Sequence, residues 1–156
     1  MADIASLQSI LVAVDGSAEA GRAVDFAARL AKAQHGSLII LHVVSPIMSG
    51  RERQQLENLE RMEHNLRTEY EILQEGGRGV LAAAEKTAQK TGLGHIEAVA
   101  EVGEDAAEAI LRVAATRGAG MIVVGRRGRG KCPGIVFGSV SYKTSQASSI
   151  PVAIVP

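Results

Sequence analysis

The sequence is short of the residues that announce many functions. It has no tryptophan, and its aromatics are limited to two Phe and two Tyr. A core of any size must therefore be aliphatic. There is one cysteine, Cys132, so no internal disulfide can form, which fits a reducing cytoplasm. No charge of one sign prevails: 17 Lys and Arg face 17 Asp and Glu. That balance argues against wholesale electrostatic capture of nucleic acid or an anionic membrane, though a local basic patch stays possible in principle. No apolar run approaches the roughly 18 residues that a membrane span needs. The stretch Met1 to Val14 holds Asp3 and no basic residue, so it lacks the charged start of a signal peptide. The expectation is a cytoplasmic protein that binds neither nucleic acid nor membrane.

What is present is aliphatic: hydrophobic residues make up 46% of the 156 positions. Val and Ile favour strands, Ala and Leu favour helices, and having both in quantity suggests an α/β protein. The length suits one domain, taken here as residues 1–156. Short continuous apolar runs read as strands covered on both faces. Ile10 to Val14 is the first, and Asp15-Gly16-Ser17 closes it with a turn and helix-start signal. Ala18 to Gln34 then has helical spacing and stops at His35-Gly36. Leu38 to Val44 is the second strand. Arg51 to Leu73 is charged and helical, with Leu56, Leu59, Met62, Leu66, Tyr70 and Leu73 in one stripe; Gly76, Gly77 and Gly79 are positioned to kink or break it. Val80 to Lys90 resumes the pattern. His95 to Val102 is the third strand, and Glu104 to Arg117 a helix with Ala106, Ala107, Ile110 and Val113 inward. Met121 to Val124 is the fourth strand, Ser139 to about Ala147 a short helix, and Val152 to Val155 the last strand. This βαβαβαβαβ order implies a doubly wound, Rossmann-like, five-stranded parallel sheet with helices on both faces.

Ligands of such sheets bind at the carboxyl ends of strands, where the strand order reverses. Strand one ends in Asp15. Strand four ends in Gly125-Arg126-Arg127-Gly128, opening a glycine-rich stretch that runs GRRGRGKCPGIVFGSVS to Ser141. Glycines let backbone amides approach phosphate oxygens without side-chain collision. Gly138-Ser139 stands before a helix, whose free amides and positive dipole end suit an anion. Read one at a time, the same glycines are ordinary turn residues, Ser139 an ordinary N-cap, and Asp15 a helix-start residue satisfying backbone amides.

The spacing of Gly125, Gly128, Gly138 and Ser139, G-x2-G-x9-G-S, resembles the nucleotide-binding signature of the ATP-binding branch of the universal stress proteins. The resemblance extends to the strand ending in Asp15, the His42-Val43 strand end, Gly103 before a helix, and Ile150-Pro151-Val152. It implies that ATP or AMP is bound, with Mg²⁺ accompanying ATP. Ala13, Val14 and Asp15 would line the site, Asp15 near the ribose or as a ligand of the phosphate-bound Mg²⁺. Val43 would meet the adenine through its backbone. Gly125, Gly128, Gly138, Ser139, Val140 and Ser141 would line ribose and phosphates, and Arg127 would partner a phosphate. Arg126, Arg129 and Lys131 read as solvated loop charges. Family members often dimerise through the last strand, so the resemblance implies a homodimer through the apolar edge Val152 to Val155, an edge that needs covering in any case. Two features depart from the family pattern. Tyr142-Lys143-Thr144-Ser145 is polar for a helix beneath a sheet, with Thr144 where an aliphatic residue is usual, and nothing carries over to residues 45–60.

Several competing motifs fail on chemistry. Gly125 to Lys131 also spells G-x4-G-K, but Cys132 stands where a P-loop needs Ser or Thr for Mg²⁺, and Pro133-Gly134 follow where its helix should start. Asp15 lacks the second Asp of a phosphatase pair, Ser17 holding that position. Cys132 has no resolving cysteine. His35, His42, His64 and His95 form no spaced metal motif, and His42 reads as a satisfied strand-end histidine. No residue is assigned a catalytic role. The first reading is a nucleotide-binding stress-response regulator acting through a dimer or partner. The alternatives are a slow ATPase, which needs a group to orient water, and a nucleotide-free interaction protein using the Arg51 to Leu73 helix.

Overall fold

The computed structural model describes residues 7–45, 69–128 and 137–156. Its elements are β1 (Ser9–Ala13), α1 (Ala18–Ala33), β2 (Ser37–Val44), α2 (Glu69–Gln89), β3 (Ile96–Val102), α3 (Ala106–Arg117), β4 (Met121–Gly125), α4 (Ser139–Ala147) and β5 (Val152–Val155). The five strands form one parallel sheet in the order β3-β2-β1-β4-β5. The expected doubly wound α/β fold is therefore present.

Each central strand is apolar at every step because each face is covered. Ile10, Val12, Leu38, Ile40 and Val123 pack against the alanine-rich faces of α1 and α2. The alternate residues Leu11, Ile39, Leu41, Ile122 and Val124 pack beneath α3 and α4. Small side chains let the α1 backbone sit close to the sheet: Ala23, Ala27, Ala28 and Ala31 are fully buried. An aromatic-poor sequence can fill this core because the layers approach closely.

α1 starts on Ser17, whose hydroxyl accepts from the Ala20 amide at 3.1 Å. It ends in a Schellman arrangement: the amides of His35 and Gly36 bond back to Lys32 and Ala31. The residue in the left-handed conformation is His35 (φ 53°), not the glycine beside it. Gly36 is needed for another reason, since a Cβ there would lie 2.2 Å from the Gln8 carbonyl oxygen.

One expectation is corrected. Gly76, Gly77 and Gly79 do not break the helix; all three lie inside α2, which runs from Glu69 to Gln89. Packing against the sheet overrides their poor propensity. At Gly77 the lack of a side chain is required, because a Cβ would come 2.8 Å from the His42 ring and 3.2 Å from Val44. At positions 76 and 79 a Cβ would meet none of the described residues within 4 Å. The Leu56 to Leu73 stripe, residues 45–60 beyond Ser45, and Arg129, Lys131, Cys132, Pro133 and Gly134 lie outside the described residues or side chains. Thr144, the other departure, is fully buried, and its hydroxyl has no hydrogen-bond partner; α4 nonetheless runs unbroken from Ser139 to Ala147. Among the described residues no helix is long and apolar enough to cross a membrane.

Candidate nucleotide site

The strand order reverses between β1 and β4: from β1 the chain next builds outward through β2 to β3, then returns to add β4 and β5 on the other side. The loops leaving the two central strands diverge there, one toward α1 and the other toward α4. They leave a cavity of about 310 Å³ at the carboxyl end of the sheet.

The residues singled out from the sequence all border this cavity. Ala13, Val14 and Asp15 come from the end of β1, Val43 from β2, Gly125, Arg127 and Gly128 from the end of β4, and Gly138, Ser139, Val140 and Ser141 from the start of α4. The lining also includes Ser17, Ala20, Ala106, Ile110, Val124 and Arg126, which the sequence reading had not assigned to it. Ala106 and Ile110 had been expected to face inward. Ile110 does, being 1% exposed, whereas Ala106, at the first turn of α3, is only half-buried and fronts the cavity. The lining combines apolar residues, Ala13, Val43, Ala106, Ile110 and Val124, with polar ones, Asp15, Ser17, Arg126, Arg127 and Ser139. Such a mixture suits a ligand that carries both an apolar ring and a charged group.

The β1 turn is tightly determined. Gly16 supplies a positive φ of 83°, and the Asp15 Oδ1 accepts from the Ser17 amide at 2.9 Å. The His42 Nδ1 meets the Val14 carbonyl at 2.7 Å. A carbonyl only accepts, so Nδ1 carries the proton and His42 is a satisfied strand-end residue.

The α4 end is built around the Arg126 carbonyl. It accepts from the Gly138 amide at 2.8 Å and from the Ser141 hydroxyl at 3.0 Å. Ser141 is 3% exposed, and its Oγ also approaches the Gly138 carbonyl at 3.0 Å. The hydroxyl proton of Ser141 is thus turned inward, and this residue fronts the cavity with its backbone. Gly138 is the N-cap of α4 and offers no side-chain oxygen. The first amides of the helix have no intrahelical partner by geometry, and no cap side chain takes them. They belong to residues that line the cavity, at the positive end of the helix dipole. Arg126 and Arg127 each hold a buried Nε with no hydrogen-bond partner among the described residues. Unmet donors beside a helix N-terminus suit an anion.

Across the cavity, Asp105 caps α3, accepting from the Ala107 and Glu108 amides at 2.9 and 3.2 Å. Lys143 of α4 donates to its other oxygen at 2.8 Å, joining the two helices whose first turns line the cavity. The Lys143 hydrogen bond, with those from the helix amides, holds the Asp105 carboxyl below the usual carboxylate range, and Asp105 in turn raises the Lys143 ammonium. Among the described residues no cluster of three or more His, Cys, Asp and Glu could hold a metal by itself.

Fold and cavity together define a doubly wound α/β protein with an anion-suited loop and helix start at its switch point. Residues 6–156 match the model of the universal stress protein family. The chain is 39% identical over 152 residues to universal stress protein YxiE of Bacillus subtilis, covering 94% of this chain and 97% of that one. The chain belongs to the universal stress protein family. Among solved structures, a universal stress protein in complex with cAMP superposes with a TM-score of 0.70 at 27% identity, over 96% of each chain. A universal stress protein family member from Burkholderia pseudomallei gives a TM-score of 0.69 at 27% identity, over 99% of each chain.

Proposed function

We propose that this protein binds an adenine nucleotide, ATP with Mg²⁺ foremost and AMP as the simpler ligand, and serves as a cytoplasmic stress-response regulator through a dimer or partner. The observation that carries the reading is the convergence of Gly125, Gly128 and the uncapped start of α4 on the β1 turn at the switch point. A related protein of the same fold binds cAMP, which supports a ligand of the adenine nucleotide class. The base would lie against the apolar residues Val43, Ala106 and Ile110. The phosphates would take the α4 amides and draw the Arg126 and Arg127 guanidinium groups onto themselves. Mg²⁺ keeps most of its waters and needs only one or two carboxylates besides phosphate oxygens. Asp15, the one carboxylate among the described lining residues, could supply that. The reading assigns binding and places no catalytic group. The β5 edge carries only Val, Ala and Ile, which suits pairing with a second copy.

The test is direct. Protein purified without added nucleotide is denatured, and the supernatant is resolved by ion exchange; emptied protein is then titrated with Mg²⁺-ATP by calorimetry. Saturable binding, lost in Gly138→Val, is the expected result. Absence of both bound nucleotide and binding heat would overturn the reading. Sedimentation across a concentration series tests the dimer.

A further inference from the structure

The three signature glycines stand opposite three different neighbours. None needs left-handed backbone: positive φ among the described glycines is confined to Gly16, Gly92 and Gly118. The requirement at Gly125 and Gly128 is therefore one of space, and Gly138 differs from both. A Cβ on Gly125 would press on the α1 backbone, 3.1 Å from the Glu19 Cβ and 3.3 Å from the Ala20 amide nitrogen. That is helix-to-strand packing. A Cβ on Gly138 would meet its nearest atom, the Arg126 carbonyl oxygen, at 3.4 Å, an ordinary contact. A Cβ on Gly128 would lie 2.5 Å from the Asp15 Oδ2 and 3.6 Å from its Cγ, with no other atom of the described residues within 4 Å.

We propose that Gly128 is a positioning residue for Asp15: it leaves the space in which the carboxylate stands at the cavity mouth. The two loops meet at this point, and the carboxylate has little freedom to yield. Its Oδ1 is tied to the Ser17 amide at 2.9 Å, and Gly16 fixes the turn between them. Rotating Oδ2 away from a methyl group would swing Oδ1 off that amide. Alanine at position 128 therefore does not block the cavity itself. It displaces the Asp15 carboxylate, which lines the cavity, and with it whatever Asp15 contacts on a ligand. The inference rests on the nucleotide-binding reading for its consequence, but not for its geometry.

A double-mutant cycle tests it, with Gly128→Ala, Asp15→Ala and the pair, read in both Mg²⁺-ATP affinity and the thermal unfolding midpoint. In the Asp15 protein, Gly128→Ala should weaken affinity about tenfold and lower the midpoint by roughly 2–4 °C. In the Asp15→Ala background the same change should alter affinity less than about twofold and leave the midpoint level or higher. Gly138→Ala is the control, because its Cβ has room, and its effect should multiply with that of Asp15→Ala. Equal losses from Gly128→Ala in both backgrounds, or the same coupling for Gly138→Ala, would overturn the proposal. If the unmodified protein binds no nucleotide, the functional reading falls alone; the unfolding cycle still decides whether Gly128 makes room for Asp15.

Discussion

Replacing Thr144 with valine should stabilise this protein. Thr144 is fully buried on α4, and its Oγ1 has no hydrogen-bond partner. In the unfolded chain that hydroxyl is hydrated, so folding strips water from it without return. An unmet buried polar group of this kind costs about 1–3 kcal/mol. Valine keeps the β-branched shape and nearly the same volume, and helix propensities of the two residues are close. The net gain should be about 1–2 kcal/mol, which for a domain of this size raises the midpoint by roughly 2–8 °C. Thr144→Ser separates the contributions: it keeps the unmet hydroxyl, loses a methyl group, and should cost about 1 kcal/mol. Urea unfolding with an unchanged slope, alongside calorimetric melting, gives both values. Nucleotide affinity should not change, since Thr144 does not line the cavity. A neutral or destabilised Thr144→Val protein would refute the reasoning. It would mean that the hydroxyl is satisfied in solution, by a carbonyl one turn back or by a buried water.

Other outcomes follow from the same structure. Gly76→Ala and Gly79→Ala each add a Cβ inside α2 that meets none of the described residues within 4 Å, and each should raise stability by about 0.5–1 kcal/mol in urea melts, additively. Gly77→Ala should lower it instead, by about 1–3 kcal/mol, because the new methyl strikes the His42 ring that holds the Val14 carbonyl. For Asp105 the folded carboxyl lies below its ordinary value, chiefly through Lys143. Its contribution is therefore fully present above the unfolded carboxylate pKa of about 3.9 and is lost as pH falls toward the lowered folded value. Asp105→Asn keeps an N-cap acceptor but not the charge, so the difference in midpoint between the variant and the parent should shrink below about pH 4. A difference that stays constant across that range would show that the Lys143 pair does not act on stability.

The element order, the parallel sheet and the position of the site were legible in the sequence, because each rests on local or periodic signals. Buried parallel strands are covered on both faces, so runs such as Leu38 to Val44 are apolar at nearly every step and cannot be mistaken for exposed ones. A doubly wound order then dictates where a ligand sits, which is why Asp15, Gly125 and Gly138 could be collected before their distances were known, while Val43 came from the family resemblance. Glycine spacing could mark the loop but could not say what each glycine is for. That depends on which atom stands opposite: the α1 backbone for Gly125, a carboxylate for Gly128, the Arg126 carbonyl at ordinary contact distance for Gly138. The same limit explains the α2 glycines, where propensity predicts a break and contact with β2 overrides it, and the helix end at His35, where the neighbouring Gly36 is held in reserve for the Gln8 carbonyl. Ala106 and Arg126 joined the cavity only when α3 and the β4 loop were brought together in space. The sequence by itself determined which segments form strands and helices and that their loops converge at one end. The tertiary structure alone decided which side chains share that end and which atoms leave no room for one more methyl, because those are contacts between residues about a hundred positions apart along the chain, as between Asp15 and Gly128.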